Sequence, residues 1–162
     1  MSRLDSVIRR LEAQRACLGR AARLIGALDG VVLELGLGNG RTYDHLRELL
    51  PGRDIYVCER QVAAHPDCIP PPGRLILGDM RETLPAAREA LGGRVALAHF
   101  DAGSGDAAAN RSLALALTVH ILPLLRRGAV LVSDPPIAAA ELQPLPLPDG
   151  IAPGRYHLYR LP

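Results

Sequence analysis

Apolar residues at Leu4, Val7, Ile8, Leu11, Leu18, Ala21, Ala22, Ile25 and Leu28 recur at three- and four-residue spacing. That period is one stripe of an amphipathic helix, predicted over residues 2–28. Ser2 with Asp5 supplies a start signal, and Asp29-Gly30 a stop. Arg3, Arg9, Arg10, Arg15, Arg20 and Arg23 occupy the other sides. They read as a solvated face over a stripe packed on a sheet, or else as a surface for an acidic acceptor.

The pattern then changes period. Short apolar runs at residues 31–35, 54–58, 74–77, 95–100 and 129–132 read as strands. The runs at 31–35, 95–100 and 129–132 are almost continuously apolar, as central parallel strands are. Helical patterns fall at residues 41–50, 84–91 and 107–122, with Pro85 placed in a first turn. The strongly apolar 107–122 helix is expected to be buried against the sheet. Pro66 and Pro70-Pro71-Pro72 break the stretch between the second and third strands. A proline costs about 3 kcal/mol in a helix interior, so only a clipped helix and an extended piece are expected there. Residues 137–154, with four prolines, read as a loop or degraded edge, and 155–161 as a last strand. The fold class is α/β: a central, mostly parallel sheet with helices on both faces. A single domain over 1–162 is expected, with the N-terminal helix at about 2–28, a core at about 30–162 and a reduced C-terminal edge.

Composition narrows the chemistry. Net charge is +2, which signals neither nucleic acid nor membrane. All 19 basic residues are arginine, so lysine Schiff-base and P-loop chemistry are excluded. The three cysteines match no zinc or disulfide spacing and are expected as free thiols in a reducing cytosol. No metal-ligand spacing is present. The N-terminus lacks an apolar signal region, and no apolar run is expected to reach the 18 residues of a membrane span. The expected location is cytoplasmic.

One stretch concentrates the candidate chemistry. Val31-Val32-Leu33-Glu34-Leu35 runs into Gly36-Leu37-Gly38-Asn39-Gly40 and then a helix. A strand–glycine turn–helix unit builds a crevice at the carboxyl end of a strand, where open α/β sheets bind ligands. Glu34, Glu59, Asp79 and Asp101 stand at the ends of four strands, so four carboxylates are expected along one rim. A dinucleotide fingerprint needs a third glycine, and that position is Arg41. Carboxylates also disfavour a pyrophosphate. A sulfonium with an amino group, ribose hydroxyls and an adenine amine has the opposite preference, which favours S-adenosylmethionine.

The chain here resembles the class I (Rossmann-like) S-adenosylmethionine-dependent methyltransferases. Glu34 to Gly40 is similar to their first motif, an acid followed by G-x-G-x-G. Residues 122–130, LPLLRRGAV, are similar to their entry into the fifth strand. More narrowly, the chain resembles small bacterial stand-alone members. The resemblance implies cofactor contacts at Glu34, Gly36, Leu37, Gly38, Asn39, Gly40, Thr42, Glu59, Arg60, Asp79, Met80, Asp101 and Ala102. It implies that residues 36–40 face the methionine part and that Glu59 takes the ribose hydroxyls. Asp79 with Met80 would flank adenine, and Asp101 with Ala102 would lie by the amino group and transferred methyl. S-adenosylhomocysteine would be the product.

No catalytic residue is fixed by sequence; Asp101 and His99 are the candidates. His99 is read either as a core histidine or as a proton acceptor. Asp134-Pro135-Pro136 resembles an amino-methyltransferase motif but follows the fifth strand, where the motif follows the fourth, and lacks its aromatic. Few aromatics argue against base stacking. The expected acceptor is a small molecule, and with no inserted lid a homo-oligomer is expected. The alternatives are a non-catalytic S-adenosylmethionine-binding module, such as a sensor or assembly subunit, and a nicotinamide-binding Rossmann protein.

Overall fold

The computed structural model describes residues 2–162. Seven strands form one sheet: β1 (Val31–Leu35), β2 (Ile55–Glu59), β3 (Leu75–Leu77), β4 (Val95–Phe100), β5 (Leu125–Ser133), β6 (Gln143–Pro144) and β7 (His157–Arg160). Their order is β3-β2-β1-β4-β5-β7-β6. The first five run parallel; β7 is antiparallel to β5 and to β6. The order reverses between β1 and β4, the switch point where such sheets open a ligand crevice. The two-residue β6, carrying Pro144, closes the reduced edge, where a missing N–H is tolerated.

The helices are α1 (Arg3–Ile25), α2 (Arg41–Leu49), α3 (Met80–Leu91) and α4 (Ala107–Ile121). They divide the core in two. Leu33, Leu35, Ala98, Phe100 and Leu131 pack with Leu84, Leu117 and Ile121 on one face of the sheet. Val32, Val57, Val130 and Val132 pack with Cys17, Leu18, Ala21 and Leu46 on the other. A full side chain buried this way contributes about 1.5–3 kcal/mol.

Several expectations are corrected. Helix α1 starts on a Ser2–Asp5 capping box but ends at Ile25, with Gly26 at φ 42° as its cap. Its stripe is buried only from Ala13 onward. Leu4, Val7 and Ile8 are exposed, because the first two turns overhang the sheet. Helix α3 starts four residues earlier than predicted, since Asp79 caps it, and Pro85 lies inside it. The proline cue marked a start where an aspartate cap decided it. Helix α4 buries one face; Leu115 and Val119 on the other are 67% and 63% exposed. With the following turn it gives an 18-residue stretch, Ala107–Leu124, of mean hydropathy 1.2, long and apolar enough to cross a membrane by length and composition. The expectation that no apolar run has that length does not hold. Two 3-10 turns, Pro66–Cys68 and Pro72–Arg74, replace a helix between β2 and β3.

Candidate functional site

The glycine turn owes its shape to contact between strand ends. Gly36 has φ 100°, and a Cβ there would lie 2.7 Å from the Asp101 carbonyl oxygen. Only glycine lets the ends of β1 and β4 approach so closely. Gly38 has φ 52° and open space where a Cβ would point, so a ligand can reach the backbone.

Glu59, the last residue of β2, braces that turn. Its Oε2 accepts from Leu37 N–H at 2.8 Å and Gly38 N–H at 3.0 Å. Its Oε1 accepts from Arg60 N–H at 2.6 Å and Gln61 N–H at 3.3 Å. Partial burial pushes the Glu59 pKa up, but the four backbone donors outweigh it and hold it below the usual carboxylate value. Asp79 caps α3 by accepting from Arg81 N–H at 2.9 Å, and that bond first of all lowers its pKa.

Two cavities open at the strand ends. One, of about 310 Å³, is lined by Gly36, Gly38, Glu59, Arg60, Gly78, Asp79, Met80, Arg81, Asp101, Ala102, Gly103 and Leu113. The other, of about 210 Å³, lies between α1 and the glycine turn. It is lined by Val7, Arg10, Leu11, Gln14, Gly36, Leu37, Gly38, Asn39, Arg41, Thr42, Asp101 and Gly103. Gly36, Gly38, Asp101 and Gly103 belong to both, so the two adjoin as one two-part cleft. Its combined volume falls within the range of small-ligand sites.

Three of the four expected acids line this cleft; Glu34 does not. Alternation along β1 turns Glu34 to the α1–α2 face, where it is fully buried. It accepts from Thr42 Oγ1 and bonds His99 Nδ1 at 2.8 Å, its direct neighbour across the β1–β4 ladder. Gly40 also lines neither cavity; it caps α2 at φ 85° against Ala64 and Cys68.

The buried pair continues outward. His99 Nε2 bonds Tyr156 Oη at 2.7 Å. Gln14 Nε2 donates to Tyr156 Oη at 3.1 Å and to Asp101 Oδ2 at 2.5 Å. Arg10 Nη2 donates to the same Oδ2 at 2.7 Å, with Arg10 Nε 3.8 Å from Asp134. Burial disfavours a charge on His99, but adjacent Glu34 outweighs it and raises its pKa above 6.5. Burial, then the Asp101 charge, raises Tyr156 well above 10.0 and keeps its hydroxyl protonated. Burial, then Asp101, also raises the Asp134 pKa, with Arg10 opposing. His99 is fully buried with both ring nitrogens engaged, so it touches no open part of the cleft.

Gln14 and Tyr156 were not given a role by sequence; Arg10 was named only among the arginines of the first helix, and Arg41 only as the residue in the third-glycine position. Arg10 and Gln14, four apart, share a helix face, but nothing in their spacing shows that the face overhangs a cleft. Tyr156 carries no local signal at all. Among the described residues, no three His, Cys, Asp or Glu side chains are grouped to hold a metal ion.

A family model described as S-adenosyl-L-methionine methyltransferase matches residues 1–161. None of the curated proteins compared matches the chain. The crystal structure of an S-adenosyl-L-methionine methyl transferase from Silicibacter pomeroyi DSS-3 is 48% identical, with a TM-score of 0.96 over 100% of this chain and 99% of that one. Cofactor-bound Rv0187 from MTB is 18% identical, with a TM-score of 0.57 over 97% of this chain and 89% of that one. The SAH-bound methyltransferase PaMTH1 of Podospora anserina is 14% identical, with a TM-score of 0.53 over 100% and 80%. The last two share the fold.

Proposed function

Because the chain belongs to the S-adenosyl-L-methionine methyltransferase family, we propose that the two-part cleft holds S-adenosyl-L-methionine and delivers its methyl group to a small acceptor. The observation that carries this reading is the junction of the two cavities at Gly36, Gly38, Asp101 and Gly103. A nucleoside joined to an amino acid is likewise made of two parts. The adenine and ribose take the larger cavity, between Asp79–Met80 and Glu59. Glu59 would hold the ribose hydroxyls; of the four bonds it accepts, the one from Gln61 N–H to Oε1, at 3.3 Å, is the longest. The amino-acid part takes the smaller cavity. There Asp101 faces the ammonium, and Arg10 and Arg41 offer guanidinium groups to the carboxylate.

When bound, the sulfonium supplies a methyl carbon whose bond to sulfur breaks as a bond to the acceptor forms. The chain's contribution is to hold two reactants in line, worth up to about 7–11 kcal/mol in well-oriented systems. The acids of the cleft favour the cationic cofactor over its neutral thioether product. The chain offers few aromatic side chains on which a base could stack, which supports a small acceptor over a nucleic acid.

Calorimetric titration with S-adenosylmethionine, S-adenosylhomocysteine and NAD tests the cofactor. Binding of the first two is expected, and binding of NAD alone overturns the reading. An acceptor screen that follows S-adenosylhomocysteine release tests the reaction. Cofactor binding with no release from any amine, hydroxyl or thiol acceptor would favour a binding module.

A further inference from the structure

The polar chain beneath the cleft is buried from Glu34 to Gln14, and it ends on the carboxylate common to both cavities. Glu34 and His99 face each other on β1 and β4, and both are fully buried. Tyr156 reaches them from just before β7, and its side chain is fully buried too. Gln14, on α1 and 5% exposed, bridges Tyr156 to Asp101 with the two hydrogens of one amide nitrogen. Residues 14, 34, 99 and 156 thus come from four separate parts of the chain and meet in one line of hydrogen bonds.

The line fixes one oxygen of Asp101. Both Gln14 and Arg10 donate to Oδ2. Among the described residues, Oδ1 takes no side-chain hydrogen bond, on a residue that lines both cavities. An aspartate carboxylate just past the end of β4, on two rotatable bonds, would otherwise turn, and its rotamer choice costs entropy on binding. Here that cost is met during folding. The anchor is stiff because any buried member that moved would leave its neighbours in the line without a partner, and a buried polar group without a partner is expensive.

We propose that Gln14 and Tyr156 are positioning residues: through the Glu34–His99 pair they hold Asp101 so that its free oxygen meets the ammonium of the bound amino-acid part. This rests on the cofactor reading above. It makes α1, outside the glycine-turn motif, a required wall of the cofactor site.

The test uses the full chain with Gln14→Met and Tyr156→Phe. Gln14→Met keeps the side chain's length and removes both hydrogens. Tyr156→Phe keeps the ring and removes the hydroxyl. Each is titrated with S-adenosylhomocysteine and with 5′-methylthioadenosine, which lacks the ammonium and carboxylate. Loss of a bond to a charged group predicts about tenfold weaker binding of S-adenosylhomocysteine by Gln14→Met, and a smaller loss by Tyr156→Phe, which acts one bond further away. Methylthioadenosine affinity is expected to stay within about twofold of wild type in both. General loosening of the fold would weaken both ligands together, so the split between them is the readout. Equal losses for both ligands, or an unchanged affinity for S-adenosylhomocysteine, overturn the positioning role. If Tyr156→Phe fails to fold, Gln14→Met decides by the same split. A wild type that binds neither ligand refutes the cofactor reading itself, a result separate from either outcome in the variants.

Discussion

Replacing Glu59 by alanine separates two roles that one carboxylate plays. The side chain accepts four backbone N–H groups, from Leu37, Gly38, Arg60 and Gln61. Three of these bonds are exposed, so water replaces the carboxylate at little cost. The Leu37 bond is part-buried. A hydrogen bond to a charged group contributes about 1.5–3 kcal/mol when water cannot substitute for it. The expected loss of stability is therefore about 1.5–3 kcal/mol, or roughly 3–12 °C in Tm for a chain of this size. This loss comes from slackening of the glycine turn and needs no ligand. The cofactor role is measured separately, as the rise in Tm that S-adenosylhomocysteine produces. That rise follows RT ln(1 + [L]/Kd) and shrinks in the variant if the ribose hydroxyls lose their acceptor. Thermal unfolding followed by circular dichroism, with and without ligand, gives both numbers. An apo Tm within about 1 °C of wild type refutes the bracing role. An undiminished ligand-induced rise refutes the ribose contact.

Replacing His99 by leucine leaves the Glu34 carboxylate buried without its ring partner, at an expected cost of about 3–5 kcal/mol in urea denaturation; a loss under about 1 kcal/mol would show that the pair is not a buried ion pair. The raised His99 pKa gives stability that is fully present below 6.5 and is lost as pH rises through the folded value. Burial lowers the His157 pKa, and its contribution runs the other way, present above 6.5 and lost as pH falls. In His157→Asn, stability is therefore expected to decline as pH is raised from about 6 to about 9, and a flat or rising profile contradicts the assignment. Burial pushes the Cys58 thiol up to about 12 and the Cys17 thiol up to about 11, while Cys68 is half-buried. Native protein should release one thiol equivalent with a disulfide reagent, from Cys68, and three after denaturation; fast labelling of Cys58 would show that β2 opens.

The sequence alone carried the elements that speak through period. Strands β1 and β4 stand where their apolar runs end, because a fully buried parallel strand has no reason to stop until its glycine or aspartate. The glycine turn was readable for a related reason: Gly36 meets a backbone so near that no other residue fits. The ends of α3 and of the α1 stripe were less readable. Capping at Asp79 and the overhang of α1 depend on what stands beside the helix, which residue spacing does not record.

The site divides along the same line. Residues within a few positions of a strand end, such as Gly38, Glu59, Asp79 and Asp101, could be placed from sequence, because parallel strands bring their carboxyl ends to one rim. Glu34 shows the limit of that rule. It stands one residue from the end of its strand, and alternation turns it away from the rim into the interior. One partner, Thr42, is eight residues away, but the ring partner His99 lies 65 residues away and, through that ring, Tyr156 a further 57 away. Contacts of such separation leave no periodicity in the chain. Sequence therefore determined the sheet, the turn and the class of ligand they suit, since these follow from local propensity and strand direction. Only the tertiary structure decided that α1 and the segment before β7 reach back beneath that turn, because which side chains meet in a buried hydrogen-bond network is set by packing.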